Sequence, residues 1–218
     1  MSDFTMPLLL DLDVVSLTMS LVNIGSGTGD EAALADSVES ALAPLAHLTV
    51  ERVGDSVVAR TLVREGAGER VLVAGHLDTV AGDPDSFAYV EMGKLFGPGA
   101  CDAKGGLAVL LRAALTAYDR DVTFVLYAGG ESDGLSALAD ARPDVLDVGR
   151  AVVLEPTSGE FTTATPLSCS GADLLAARGI AVEVFGPGDP ALAHAAGEFV
   201  PTAELTECEF VLRTWLQA

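Results

Sequence analysis

The apolar positions of this chain change period as it runs. Over residues 11–23, Val14, Leu17 and Leu21 recur at helical spacing, and from Glu31 to Ala46 so do Leu34, Val38 and Leu42. Two amphipathic helices are expected there, joined by the polar loop "IGSGTGDE" with an N-cap at the start of the second. "LTVERV" and "SVVARTL" then alternate with period two around Gly54 and Asp55, which predicts a hairpin. The next run, "RVLVAGHLDTV", is continuously apolar and stops abruptly at polar residues. A strand covered by helices on both faces ends in this way, delivering polar side chains at its carboxyl end. "VTFVLYAGGES" and "GRAVVLEPTS" repeat that grammar, and "CDAKGGLAVLLRAALTAYD" supplies a Gly-Gly start and a helical pattern between the first two.

This alternation of strand and helix predicts the fold class: α/β, a three-layer α/β/α arrangement with a mostly parallel central sheet. Further on, "ADLLAARGIAVEVFGPGDPALAH" reads as helix, strand and a Gly/Pro-rich loop, and "TAELTECEFVLRTWLQA" as a closing helix. Residues 158–171, "SGEFTTATPLSCSG", hold turn formers and little periodicity. The 218 residues fit one domain, 1–218, with no internal repeat.

Composition narrows the function. Half of the residues are hydrophobic and 20% are charged, a globular rather than a disordered profile. With 32 acidic against 12 basic residues the formal charge is -20, which repels phosphate backbones and anionic headgroups. Nucleic acid and membrane are therefore excluded as expected partners. Cys101, Cys169 and Cys208 are odd in number and widely spaced, giving neither a zinc knuckle nor a disulfide framework. The first apolar run lacks a basic flank and is interrupted by Asp11 and Asp13, and no stretch reaches the roughly 18–20 apolar residues of a span. A cytoplasmic location is expected.

The candidate chemistry sits at strand ends: His76, Asp78, Asp102, Glu131 and Glu155, with His194 in the late loop. Singly, each has an ordinary account as a helix cap or a structural histidine. Together, imidazole and carboxylates suit zinc, with cobalt and manganese as alternatives, and a carboxylate can bridge two such ions.

Five separated motifs, "GHLDTV", "GPGACDAKGG", a strand ending in Glu, "LEPT" and "FGPGDPALAH", resemble in order the landmarks of the zinc-dependent aminoacylase and carboxypeptidase family. That family includes succinyl-diaminopimelate desuccinylase, the closest likeness, with acetylornithine deacetylase and glutamate-releasing carboxypeptidases. The resemblance implies one or two zinc ions. His76 and Glu155 would bind one metal, Glu131 and His194 the other, and Asp102 would bridge them. Asp78 would orient His76, a support that metal-bound histidines commonly require. Glu198 falls where relatives place an acid supporting the histidine, although a helix-surface charge explains it equally. Lys104 matches a family lysine with no assigned role, and Cys101 is either a thiol beside the metal or a small buried residue.

Two departures matter. The family strand ends in two glutamates, a general base and then a ligand. Counted from Tyr127, the base position falls on Gly130 and the ligand position on Glu131; a second register makes Glu131 the base and Ser132 the missing ligand. Asp133 is a candidate substitute base. The family also inserts a lid between "EPT" and the segment matching "SCSGADLLAARGI", where this chain has only residues 158–171, and its bridging motif carries Pro98 in place of the usual Arg. The lid's oxyanion-stabilising histidine and its carboxylate-holding arginine and asparagine go with it. The expectation is a metal-dependent amidohydrolase-like protein with unusual acyl or amide chemistry on a small amino-acid-derived substrate, a partner protein standing in for the lid. The alternative is an inactive member that binds a ligand or a partner.

Overall fold

The first helix, α1 (Val14–Val22), starts where Asp13 accepts hydrogen bonds from the backbone N–H groups of Val15 and Ser16, each at 3.0 Å. This is seen in a computed structural model, which describes residues 7–62, 68–80, 86–130, 133–163 and 170–217. The Ser16 N–H bond, ahead of the Ser16 hydroxyl, holds the Asp13 carboxyl below its usual pKa. Replacing Asp13 by Ala is expected to cost about 1 kcal/mol in denaturant melts, and by Ser or Asn much less. Because the folded pKa is depressed, this stabilisation is present above about pH 4 and is lost as pH falls through the lowered value. The second helix, α2 (Ala32–Leu42), stops short of the expected Ala46, because Pro44 has no N–H to extend the ladder. Glu31 takes its N-cap position without a capping bond, since its carboxylate is used elsewhere.

The hairpin of β1 (Leu48–Val53) and β2 (Ser56–Thr61) forms as expected around Gly54 and Asp55. Then come β3 (Val71–His76), the short strands β4 (Tyr89–Glu91) and β5 (Lys94–Phe96), and α3 (Gly105–Ala114). The chain continues through β6 (Val122–Tyr127), α4 (Gly134–Ala141), β7 (Arg150–Leu154), α5 (Ser170–Ala177), β8 (Ala181–Phe185), β9 (Phe199–Pro201) and α6 (Thr202–Gln217). The central sheet runs β1-β2-β6-β3-β7-β8, with β6, β3, β7 and β8 mutually parallel and β1 and β2 antiparallel at one edge.

Alternate strand residues point into two separate cores, as the pleat requires. Val73, Phe124, Val152 and Phe185 face the core built with α1, α2, α3 and α6, while Leu72, Val125, Val153 and Val184 face α4 and α5. The three-layer α/β/α class is the observed one. Helix α3 lies close against the sheet because Gly106 has no side chain; a Cβ there would stand 3.2 Å from that of Leu154. Among the described residues no helix is long and apolar enough to cross a membrane.

A second sheet, β4-β5-β9, has no counterpart in the apolar pattern. Its strands are three residues long, too short for alternation to register. Met92 and Gly93 turn the β4–β5 hairpin with φ of 49° and 75°, the left-handed pair of a tight hairpin turn. Strand β5 pairs antiparallel with β9, Phe96 opposite Phe199.

Candidate metal centre

His76 is the last residue of β3 and Glu155 the first beyond β7; since these strands are parallel neighbours, both side chains emerge at the same end of the sheet. Asp102 joins them from a wide helical turn, Ala100–Lys104, in which its own backbone is extended (φ -131°, ψ 101°). His76 Nε2 lies 3.0 Å from Asp102 Oδ1 and 4.0 Å from Glu155 Oε1. Among the described residues these three form the group able to offer ligand atoms all within 4.8 Å of one another, and all are buried. Two buried carboxylates this close are stabilised by positive charge between them. Burial works against a charged imidazole, but the hydrogen bonds to Asp102 and Asp78 and the charge of Glu155 outweigh it and push the His76 pKa well above its ordinary value. The cluster could hold a metal ion, and its N and O donors are of the kind zinc takes.

Asp78 lies behind the imidazole. It is wholly buried; its Oδ1 stands 3.2 Å from His76 Nδ1 and accepts the Gly130 N–H at 2.6 Å, and its Oδ2 accepts from Thr28 Oγ1 at 3.0 Å. This leaves Nε2 directed at Asp102 and Glu155. Gly130 packs so closely that a Cβ on it would sit 2.2 Å from the His76 Cβ and 2.3 Å from Cγ. No side chain fits at position 130 while His76 stays where it is.

On the other side of Asp102, its Oδ2 is 3.2 Å from His194 Nε2. His194 is partly exposed and holds a left-handed backbone (φ 60°), unusual for a residue other than glycine. Glu198 is not a surface charge. It is 8% exposed and accepts three backbone N–H bonds, from Cys101 at 2.8 Å and Asp102 at 2.9 Å on Oε1, and from Gly99 at 3.0 Å on Oε2. Burial pushes its carboxyl above the ordinary range, the N–H bonds pulling the other way. The unforeseen β5–β9 pairing explains the arrangement. It sets Gly97, which opens the Asp102 loop, against Glu198, which closes the His194 loop, with the Gly97 N–H on the Glu198 carbonyl at 3.3 Å.

The loop "SGTGDE" braces the site from beneath, a role that sequence reading missed. Glu31 accepts the Gly129 N–H at 3.1 Å, Thr28 bonds Asp78, and Ser26 bonds both the Leu77 carbonyl and the Lys104 ammonium. Its only signal was a density of small polar residues in a loop otherwise free to be anything. Lys104 is buried, and burial lowers its pKa to about 7, with Asp78 and Glu31 pulling it back. The Cys101 thiol points away, donating to the Asp189 carbonyl at 3.3 Å, and burial, ahead of the charge of Glu198, raises its pKa. Asp133 stands exposed at the N-cap position of α4 and is not part of the three-residue cluster. Glu131 and Ser132 lie outside the described residues.

An α/β/α domain in which parallel strands and a neighbouring turn bring an imidazole and two carboxylates together has the architecture of a metallopeptidase-type domain. Residues 72–169 match Peptidase family M20/M25/M40, and over them the chain carries this family's domain. The chain is 38% identical over 163 residues to succinyl-diaminopimelate desuccinylase of Corynebacterium glutamicum, a match covering 69% of this chain and 44% of that one. It thus spans less than half the length of such curated relatives. Among solved structures it resembles an M20 family metallo-carboxypeptidase of Sulfolobus solfataricus (TM-score 0.55, 15% identity, 67% of this chain and 38% of that one). It also resembles an aminopeptidase of Desulfurococcus kamchatkensis (TM-score 0.76, 12% identity, 94% of each chain). At these identities the structural likeness speaks for the fold.

Proposed function

We propose that this chain is a metal-dependent amidohydrolase-like protein, acting in the cytoplasm as a single lid-free catalytic domain on a small amino-acid-derived substrate. The observation that carries the reading is the buried set His76, Asp102 and Glu155. In this reading these three would hold one zinc ion, and Asp102, His194 and Glu131 would hold a second; cobalt and manganese suit the same donors. When bound, such an ion polarises an amide carbonyl and acidifies water. The protein's own residues supply the rest. Asp78 fixes the His76 ring so that Nε2 faces the ligand set, and Glu198 fixes the backbone from which Asp102 projects.

Gly130 occupies the position of the family's general base. A positioned base contributes about 10²–10⁴ in rate, so ordinary hydrolysis is expected to be slow, and chemistry that draws its base from the substrate, such as aminolysis or cyclisation, is favoured. A partner protein in place of the lid would complete the carbonyl-facing wall. The tight contact between Gly130 and His76 also favours a second reading, a binding protein that has given up catalysis.

Product analysis by mass spectrometry separates the two. Zinc-supplemented and chelator-treated protein would be incubated with N-acyl amino acids and dipeptides, with and without a free amine acceptor. Metal-dependent turnover that is lost in Asp102→Ala supports the enzyme. Zinc uptake without turnover of any of them supports the binding protein.

A further inference from the structure

Beside the metal cluster the chain forms a cavity of about 390 Å³, within the range of small-molecule sites. Asp102 and His194 form its floor, and Val80, Tyr89, Phe96 and Pro98 form its walls. The Tyr89 and Phe96 rings stack at 5.0 Å, and Phe96 packs on Phe199 at 5.3 Å. Phe87, Val90 and Met92 are exposed on or beside the same hairpin.

Basic side chains are scarce around this cavity. Apart from His194, no basic side chain lines it among the described residues. Lys94, next on the hairpin, has its ammonium 4.0 Å from the Phe199 ring, and Lys104 is buried on Ser26. Nor do the described residues offer a free carboxylate to an ammonium group. Asp102 faces His76 and His194, and both Glu198 oxygens take backbone N–H groups.

From these walls we infer that the cavity receives an uncharged apolar group, aliphatic or aromatic, on the substrate's amide, and rejects the distal carboxylate of a succinyl group. This deepens the reading above and rests on it only for the placement of the reacting amide over Asp102 and His194. A buried methylene is worth about fourfold in binding, so a chain of three or four gives a readable preference.

Titration by ligand-observed NMR tests this, using pentanamide, benzamide, succinamate and 4-aminobutanamide with both zinc-supplemented and chelator-treated protein. Pentanamide and benzamide are expected to bind at least about tenfold tighter than the two charged amides, and Tyr89→Glu to erase the difference. Should that variant not fold, Val80→Asp on the facing wall gives the same readout. In the chelator-treated protein, equal or tighter binding of succinamate or 4-aminobutanamide overturns the inference. So does a lack of binding by both apolar amides, or a preference unchanged in the variants. Failure to take up zinc would sink the metalloenzyme reading alone, since the chelated arm still reports on the cavity.

Discussion

Gly130→Ala is expected to lower zinc affinity by about 10- to 100-fold, the usual consequence of disturbing the support of a metal-bound histidine. The added methyl would lie 2.2 Å from the His76 Cβ, far inside van der Waals contact, and the histidine is the partner able to move. Movement would also break the line from Asp78 Oδ1 to His76 Nδ1, with Gly130 N–H bound to the same oxygen. Overpacking of this kind costs about 1–3 kcal/mol in stability. Calorimetric zinc titration and denaturant melts read the two effects separately. Gly130→Glu, which meets the same contact with His76, is expected to bind zinc no better and to gain no hydrolysis. If zinc affinity is unchanged in Gly130→Ala, the contact does not hold His76.

The second large effect is at Glu198. Alanine there removes the acceptor from three backbone N–H groups at once, and a buried donor left unsatisfied costs about 1–3 kcal/mol. Partial hydration of the opened space should hold the total to about 2–4 kcal/mol. Asp102 would lose its fixed backbone, so zinc affinity falls as well. Glu198→Gln separates shape from acceptor capacity: its one oxygen can still take Cys101 and Asp102, while its amide N–H₂ opposes the Gly99 N–H. The glutamine variant is therefore expected between wild type and alanine in both stability and zinc affinity. A glutamine variant as damaged as alanine would place the effect in charge alone.

What could be read from the chain follows from length and period. The runs that became β3, β6 and β7 are five or six largely apolar residues leading into polar ones, and that pattern alone places His76 and Glu155 at one end of a parallel sheet. The strands β4, β5 and β9 carry three residues each, below what alternation can reveal, yet the pairing of β5 with β9 brings the Asp102 and His194 loops together. Glu198 was conspicuous as an acid four residues after His194, but its partners are backbone groups almost a hundred residues earlier, and sequence carries no mark of a backbone donor. Gly130 was noticed as an absence. The structure adds that no side chain has room there, because the imidazole lies where one would begin.

The shared claim beneath these expectations is that His76, Asp102 and Glu155 hold a divalent cation. Calorimetric titration of zinc into chelator-stripped protein, with Asp102→Ala alongside, tests it most directly. The wild-type chain is expected to bind at least one zinc ion with release of the His76 proton, and the variant to lose that binding. A folded wild-type chain that takes up no zinc would contradict the account.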